Sequence, residues 1–159
     1  MDEDNQTLVP LAVSRKGKDQ ETYKKDLQSL IDRGVRPGIG ISGWVLQTGK
    51  PFRSGDISKD PRHIKVMEGA KSELCVPLIS RARAIGILNI ETSQPNAYNE
   101  KDENIVTALA SSAAIAFENA RLFQEQTRRS QIIEALAEIA NEIATTRDVI
   151  PALDKITLR

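Results

Sequence analysis

Between Ile105 and Ala144 the chain contains neither proline nor glycine, and no other stretch restricts its folding so much. Asn99 stands just ahead, with Asp102 three residues later and acidic side chains through the first turn, the pattern of a capped helix start. A helix from Glu100 to about Thr145 would reach about 65–70 Å at 1.5 Å per residue. That exceeds the diameter of a domain built from 159 residues. Its first part is rich in small residues (Ala108, Ala110, Ser111, Ala113, Ala114, Ala116), suited to close packing on a sheet or another helix. Its second part carries a heptad, with Leu122, Arg129, Leu136 and Ile143 at one position and Glu125, Ile132 and Ile139 at the other. Such spacing predicts a partner helix, hence a homodimer seam of Leu122, Ile132, Leu136, Ile139 and Ile143. The alternative is a helix folded back on its own globule. Asp148 and Pro151 read as the start of another short helix over 149–156.

Ahead of this helix the pattern mixes strand and helix. Thr7–Ser14 reads as a short strand, with Pro10 favouring an edge or a bulge. Tyr23, Leu27, Leu30 and Ile31 fall on one face of an amphipathic helix over about 19–33, which Gly34 ends as a left-handed cap. Residues 38–43, GIGISG, match G-x-G-x-x-G literally. A dinucleotide site would need a strand entering the motif; here a helix enters, so the match reads as a bend where backbone packs closely. Ser42 and Gly49 would bracket little more than one helical turn. Phe52–Ser54 is a strand candidate, 55–61 a loop, and Pro61 opens a weak helix to Met67. The strongest strands are 72–80 (SELCVPLIS) and 84–92 (AIGILNIET), joined by Arg81-Ala82-Arg83 into an antiparallel hairpin with both faces covered.

Composition narrows the function. Lysine and arginine number 22, as do aspartate and glutamate, so the net charge is zero and gives no general attraction to nucleic acid or an anionic membrane. One cysteine, Cys75, excludes an internal disulfide and a multi-cysteine metal site. His63 is the single histidine. No G-x-S-x-G elbow, P-loop or H-E-x-x-H motif occurs. No apolar run reaches the ~20 residues of a membrane span, and the acidic opening is no secretory signal. These features predict a cytoplasmic protein that is not an enzyme.

Five segments together resemble the GAF domain, the small-molecule sensing module of signalling proteins: 38–52 (GIGISGWVLQTGKPF), 56–63 (DISKDPRH), 72–78 (SELCVPL), 85–91 (IGILNIE) and 98–122 (YNEKDENIVTALASSAAIAFENARL). The resemblance implies an α+β fold, an antiparallel sheet with terminal helices on one face and a ligand cavity on the other. It implies a sensor over 1–123, lacking the family's first helix and strand, then a signalling helix over 124–147. Residues 148–159 would begin a following element, because 136–156 resembles the opening helix of a next repeat. The resemblance places Trp44, Ile57, His63, Val66, Ser72, Leu74 and Asn89 around the cavity. It implies ligand state passed through the paired helix to an output domain such as a histidine kinase, in a two-component system, or a cyclase.

The resemblance identifies neither ligand nor cofactor. Cyclic-nucleotide-binding members carry an N-K…F…D-E motif. Here Thr92 and Ser93 replace Asn and Lys, Tyr98 stands near the Phe, and Asp102-Glu103 fill the acidic pair. Bilin attachment would need a cysteine before His63, where Arg62 stands. At the border of the cavity that the resemblance implies, His63 is a haem ligand or a hydrogen-bond partner of a ligand, or else a structural or solvated side chain. Family enzymes that reduce free methionine sulfoxide rely on more than one cysteine, and Cys75 has no resolving partner. Two alternatives to a ligand sensor remain: a ligand-free dimerisation module, and a redox switch at Cys75.

Overall fold

The computed structural model describes residues 7–8, 10–12, 24–25, 27–28, 31–32, 34–64 and 69–157, with side chains through 143. The chain divides into two units, 1–116 and 117–159. The first carries helix α1 (Gly40–Thr48), strand β1 (Phe52–Ser54), a 3-10 turn (Ile57–Lys59), β2 (Ser72–Ser80) and β3 (Arg83–Thr92). Helix α2 runs Glu100–Thr157.

The strands form an antiparallel sheet in the order β1-β2-β3, so β2 is central. Pro77 is tolerated there because β1 pairs only as far as Cys75, and the missing N–H breaks no β1 rung. The predicted hairpin is present and closes at Arg81-Ala82, both at positive φ (49° and 62°). That is the backbone of the type I′ turn, whose twist matches the flanking strands but which normally takes Asn-Gly. The register shifts between Leu78 and Ile79, so Ile79 faces Ala84 while Leu78 faces Gly86. Ile85 is the extra residue of this bulge, and it packs with the apolar cluster on the α2 side.

Strand alternation divides the core. Leu74, Val76 and Leu78 point to one face, where Val106, Ala110 and Ala114 of α2 cover them. The alanines let the helix come close to the sheet. Cys75 points to the other face, onto Ile41 and Val45 of α1 and Ile57 of the 3-10 turn. Burying each of the larger side chains contributes about 1.5–3 kcal/mol.

The predicted cap of α2 is observed. Asn99 Oδ1 accepts from the backbone N–H groups of Lys101 (2.8 Å) and Asp102 (3.2 Å), and Asp102 Oδ2 accepts from Asn99 N–H (2.9 Å). This reciprocal box satisfies three donors at the helix start. Gly34 and Gly49 are left-handed, as expected of caps (φ 60° and 65°).

Other expectations need correction. α1 is nine residues long, more than one turn, and Ser42 lies inside it rather than at its cap; Ile39 is the N-cap and makes no side-chain bond. The extra turn becomes possible because Gly38 and Gly40, at φ 78° and 72°, swing the chain into the helix. A Cβ at Gly43 would collide with the Arg36 carbonyl, so the glycine cluster does serve close backbone packing. The segment 7–14 is not a strand at its described residues: Leu8 makes one isolated bridge to Val35, and Leu11 is exposed. Lys24, Lys25, Leu27, Gln28, Ile31 and Asp32 are helical, as expected for 19–33, while Tyr23 and Leu30 lie outside the described residues. Pro61 and Arg62 form a turn and His63 and Ile64 are irregular, so no helix opens at Pro61; 65–67 lie outside the described residues. α2 continues through Pro151 to Thr157 without the expected restart. An interior proline removes one backbone donor and kinks or breaks a helix, and here the helical backbone continues past it.

Candidate functional site

The face of the sheet under α1 carries the polar chemistry. Glu73, Cys75 and Pro77 on β2 oppose Glu91, Asn89 and Ile87 on β3. Glu73 is only 3% exposed although it is an acid. Asn89 Nδ2 donates to Glu91 Oε1 at 3.0 Å, and Asn89 also hydrogen-bonds Glu73. Burial, and then the negative charge of Glu91, push the Glu73 carboxyl up to about 7. Burial likewise pushes the Cys75 thiol up to about 12, with Glu73 adding to it and a Ser42 hydrogen bond opposing. A fully buried thiol held protonated is a poor nucleophile. Cys75 behaves as a core residue, and this geometry counts against a redox switch there.

The loop between β1 and β2 packs beside α1. Asp56 caps the 3-10 turn, accepting from Ser58 N–H (3.2 Å) and Ser58 Oγ (2.6 Å). Asp60 holds Arg62 by two parallel bonds, Nε to Oδ1 at 2.9 Å and Nη2 to Oδ2 at 2.7 Å. The Arg62 partnership keeps the Asp60 carboxyl below its ordinary value. The guanidinium lies over the rings of Trp44 (4.8 Å) and Phe52 (5.0 Å), which themselves meet edge to face at 6.4 Å. An arginine stacked on two rings and bonded to a carboxylate latches this loop to α1 and β1.

The seven expected cavity residues fall into separate places. Trp44 is half-buried against Phe52 and Arg62, and Ile57 is fully buried in the core under α1. His63 is half-buried, its N–H donating to the Asp60 carbonyl at 3.0 Å. Asn89 is on the same sheet face, bonded to the two acids. Leu74 points to the opposite face, into the core with α2. Ser72 shares the parity of Leu74; its Oγ donates to the Gln94 carbonyl and accepts from Ala97 N–H, so it ties down the chain between β3 and α2. Val66 lies outside the described residues. A cavity of about 280 Å³ opens elsewhere, between the C-terminal end of α1 and the hairpin, lined by Gln47, Ile79 and Arg83 among others.

Glu73, Glu91, Asp60 and Arg62 are the residues that sequence reasoning passed over. Two glutamates in otherwise apolar strands were the available signal. Asp102 and Glu103, the acidic half of the cyclic-nucleotide motif, have structural work: Asp102 caps α2, and Glu103 pairs with Arg53 at 2.8 Å. Among the described residues no group of three or more His, Cys, Asp or Glu is placed to hold a metal ion. Among them, too, no helix is long and apolar enough to cross a membrane.

The sequence model of the GAF domain matches residues 1–118. The chain belongs to the GAF domain family. It is 32% identical over 75 residues to GAF domain-containing protein A of Dictyostelium discoideum, covering 47% of this chain and 48% of that protein. It is 24% identical over 125 residues to a probable 3',5'-cyclic phosphodiesterase, pde-5, of Caenorhabditis elegans, covering 75% of this chain and 17% of that protein. The chain thus spans about half the length of the first of these relatives and a small part of the second. Among solved structures, the GAF domain of a phosphoenolpyruvate-protein phosphotransferase from Coxiella burnetii has the same fold (22% identity, TM-score 0.54, 60% of each chain). Membership of this family supports a regulatory module as the broad function.

One structural relative corrects the expectation that the chain is not an enzyme. The free methionine-R-sulfoxide reductase of Neisseria meningitidis, solved in complex with its substrate, is 25% identical with a TM-score of 0.59, covering 77% of this chain and 65% of that one. The fold therefore includes catalysts. Missing hydrolase, kinase and protease motifs did not justify excluding catalysis, because those motifs belong to other scaffolds.

Proposed function

We infer that this GAF module is a sensor whose α1-side face receives a small ligand. Occupancy then passes through the C-terminal helical segment of a homodimer to an output domain, such as a histidine kinase or a cyclase. The reading takes 1–123 as sensor, 124–147 as signalling helix and 148–159 as the start of a following element. The supporting observation is the asymmetry of the sheet. Its α2 face is packed with aliphatic side chains around Leu74, Val76 and Leu78, whereas its α1 face holds two acids, an amide and an arginine on aromatic rings. Polar groups set in an apolar surface are what orient a small ligand. A neisserial relative that takes a free amino-acid derivative makes that class the first to screen. On the second unit, Leu122, Ile132, Leu136, Ile139 and Ile143 are 39–63% exposed, as a seam awaiting a partner helix would be.

A second reading, a dimerisation module without a ligand, is favoured by one observation. Ile41, Val45, Ile57 and Cys75 already fill the space beneath α1. Native mass spectrometry of freshly purified protein, with a thermal-shift screen of free amino acids, their sulfoxides and cyclic nucleotides, separates the two. A bound mass or a raised melting temperature supports the sensor; neither, in a dimeric protein, supports the second reading. Light scattering checks the dimer itself, and Leu136→Glu with Ile139→Glu should return it to monomer.

A further inference from the structure

Glu73 and Glu91 stand opposite one another on β2 and β3. Directly opposed side chains have Cβ atoms about 4.5–5.5 Å apart. Their surroundings can be taken element by element. On β2, the neighbour on the same face is Cys75, whose thiol is held protonated; on β3 it is Asn89, which bonds both acids. β1 places Ser54 opposite Glu73. α1 contributes Ser42 and has no ionisable side chain between Gly40 and Thr48. The loop contributes Asp60, whose negative charge reaches Glu73, with Arg62 and His63 acting on Asp60. Ahead of and within the first turn of α2, Tyr98 feels the charges of Glu91 and Asp102.

Glu73 is therefore nearly sealed from water, beside one carboxylate and in the field of a second. Burial and like charge both disfavour ionising it, and such a pair titrates as a unit. We propose that Glu73 and Glu91 form a proton switch, holding one proton between them while the sheet packs tightly and loosening the seat of α1 and the Asp56–His63 loop when that proton leaves. The loop is the element that would respond, because Asp60 adds to the repulsion and its partner Arg62 rests on Trp44. The switch requires no ligand and goes beyond the sensory reading.

The direction of the effect follows from linkage. The Glu73 carboxyl lies above its ordinary 4.5, at about 7, so the folded state binds the proton more tightly than the unfolded chain. The resulting stability is complete below about 4.5 and is lost as pH rises to about 7. Denaturation midpoints and Trp44 emission of the full chain, measured from pH 5 to 8.5, test this. Trp44 is the single tryptophan, so the emission reports one site. The wild-type midpoint should fall across pH 5–7.5 with a parallel change in emission. Glu73→Gln should flatten both and exceed the wild type in stability at pH 8. Should Glu73→Gln fail to fold, Glu91→Gln serves instead: removing the opposing charge should move the transition to lower pH. His63→Gln should leave it in place. A wild-type midpoint or emission that does not change, full pH dependence in Glu73→Gln, no displacement in Glu91→Gln, or loss of the transition in His63→Gln would each overturn the proposal.

Discussion

The two faces of the sheet are built from neighbouring residues of the same strands, yet they solve different problems. On the α2 side, aliphatic side chains meet a helix whose alanines keep it close, with polar contacts such as Ser72 and the Arg53–Glu103 pair around them. On the α1 side, a short helix and a loop cover a surface that includes two glutamates, and an arginine latch fastens the cover. Successive residues such as Glu73 and Leu74 thus serve opposite purposes. The contrast shows how a three-strand sheet can be packed with aliphatic side chains on one side while burying an acid on the other.

The contrast can be tested by substitution, beginning with the largest effect. Leu74→Ala, in the dry core, should destabilise by about 2–5 kcal/mol in chemical denaturation. A loss under 1 kcal/mol would mean that the α2 face is not the structural one. Gly43→Ala should cost about 1–3 kcal/mol, because the new methyl meets the Arg36 carbonyl, which is backbone and does not move aside easily. Arg62→Ala should cost about 1 kcal/mol, since the ion pair is partly exposed and screened (side chains 36% and 15% exposed). It should also shift Trp44 emission, and unchanged emission would deny the latch. Smallest, Ala82→Gly should stabilise by up to about 1 kcal/mol by relieving a left-handed non-glycine residue. Because the hairpin serves both faces, that gain should appear in denaturation of both the Leu74→Ala and the Arg62→Ala variants.

Local chemistry was readable from the residues. The Asn99 box, the left-handed caps at Gly34 and Gly49 and the strong hairpin depend on neighbours a few positions apart. The site depended on something the residues do not display. Counting outward from Ser80 opposite Arg83, a regular ladder would set Glu73 against Ile90 and scatter the acids. The bulge at Ile85 advances β3 by one place and brings Glu91 opposite Glu73. Nothing in AIGILNIET marks that extra residue. The same bulge moves Asn89 from its regular-ladder place opposite Leu74 to one opposite Cys75, which is why Ser72 and Leu74 end on the other face from it. Excluding catalysis failed for another reason, since motifs of other scaffolds say nothing about this one.

Ser72 has a mechanical consequence. One buried hydroxyl at the entry of the central strand grips both the carbonyl of Gln94 and the amide of Ala97, while Asn96 N–H bonds the Gly55 carbonyl at 3.1 Å. The approach to α2 is thus riveted at two points, to the residue after β1 and to the first residue of β2. A tug on this linker would arrive first at the strand's starting residue, and trimming that residue to alanine would leave the joint to slip before either layer came apart.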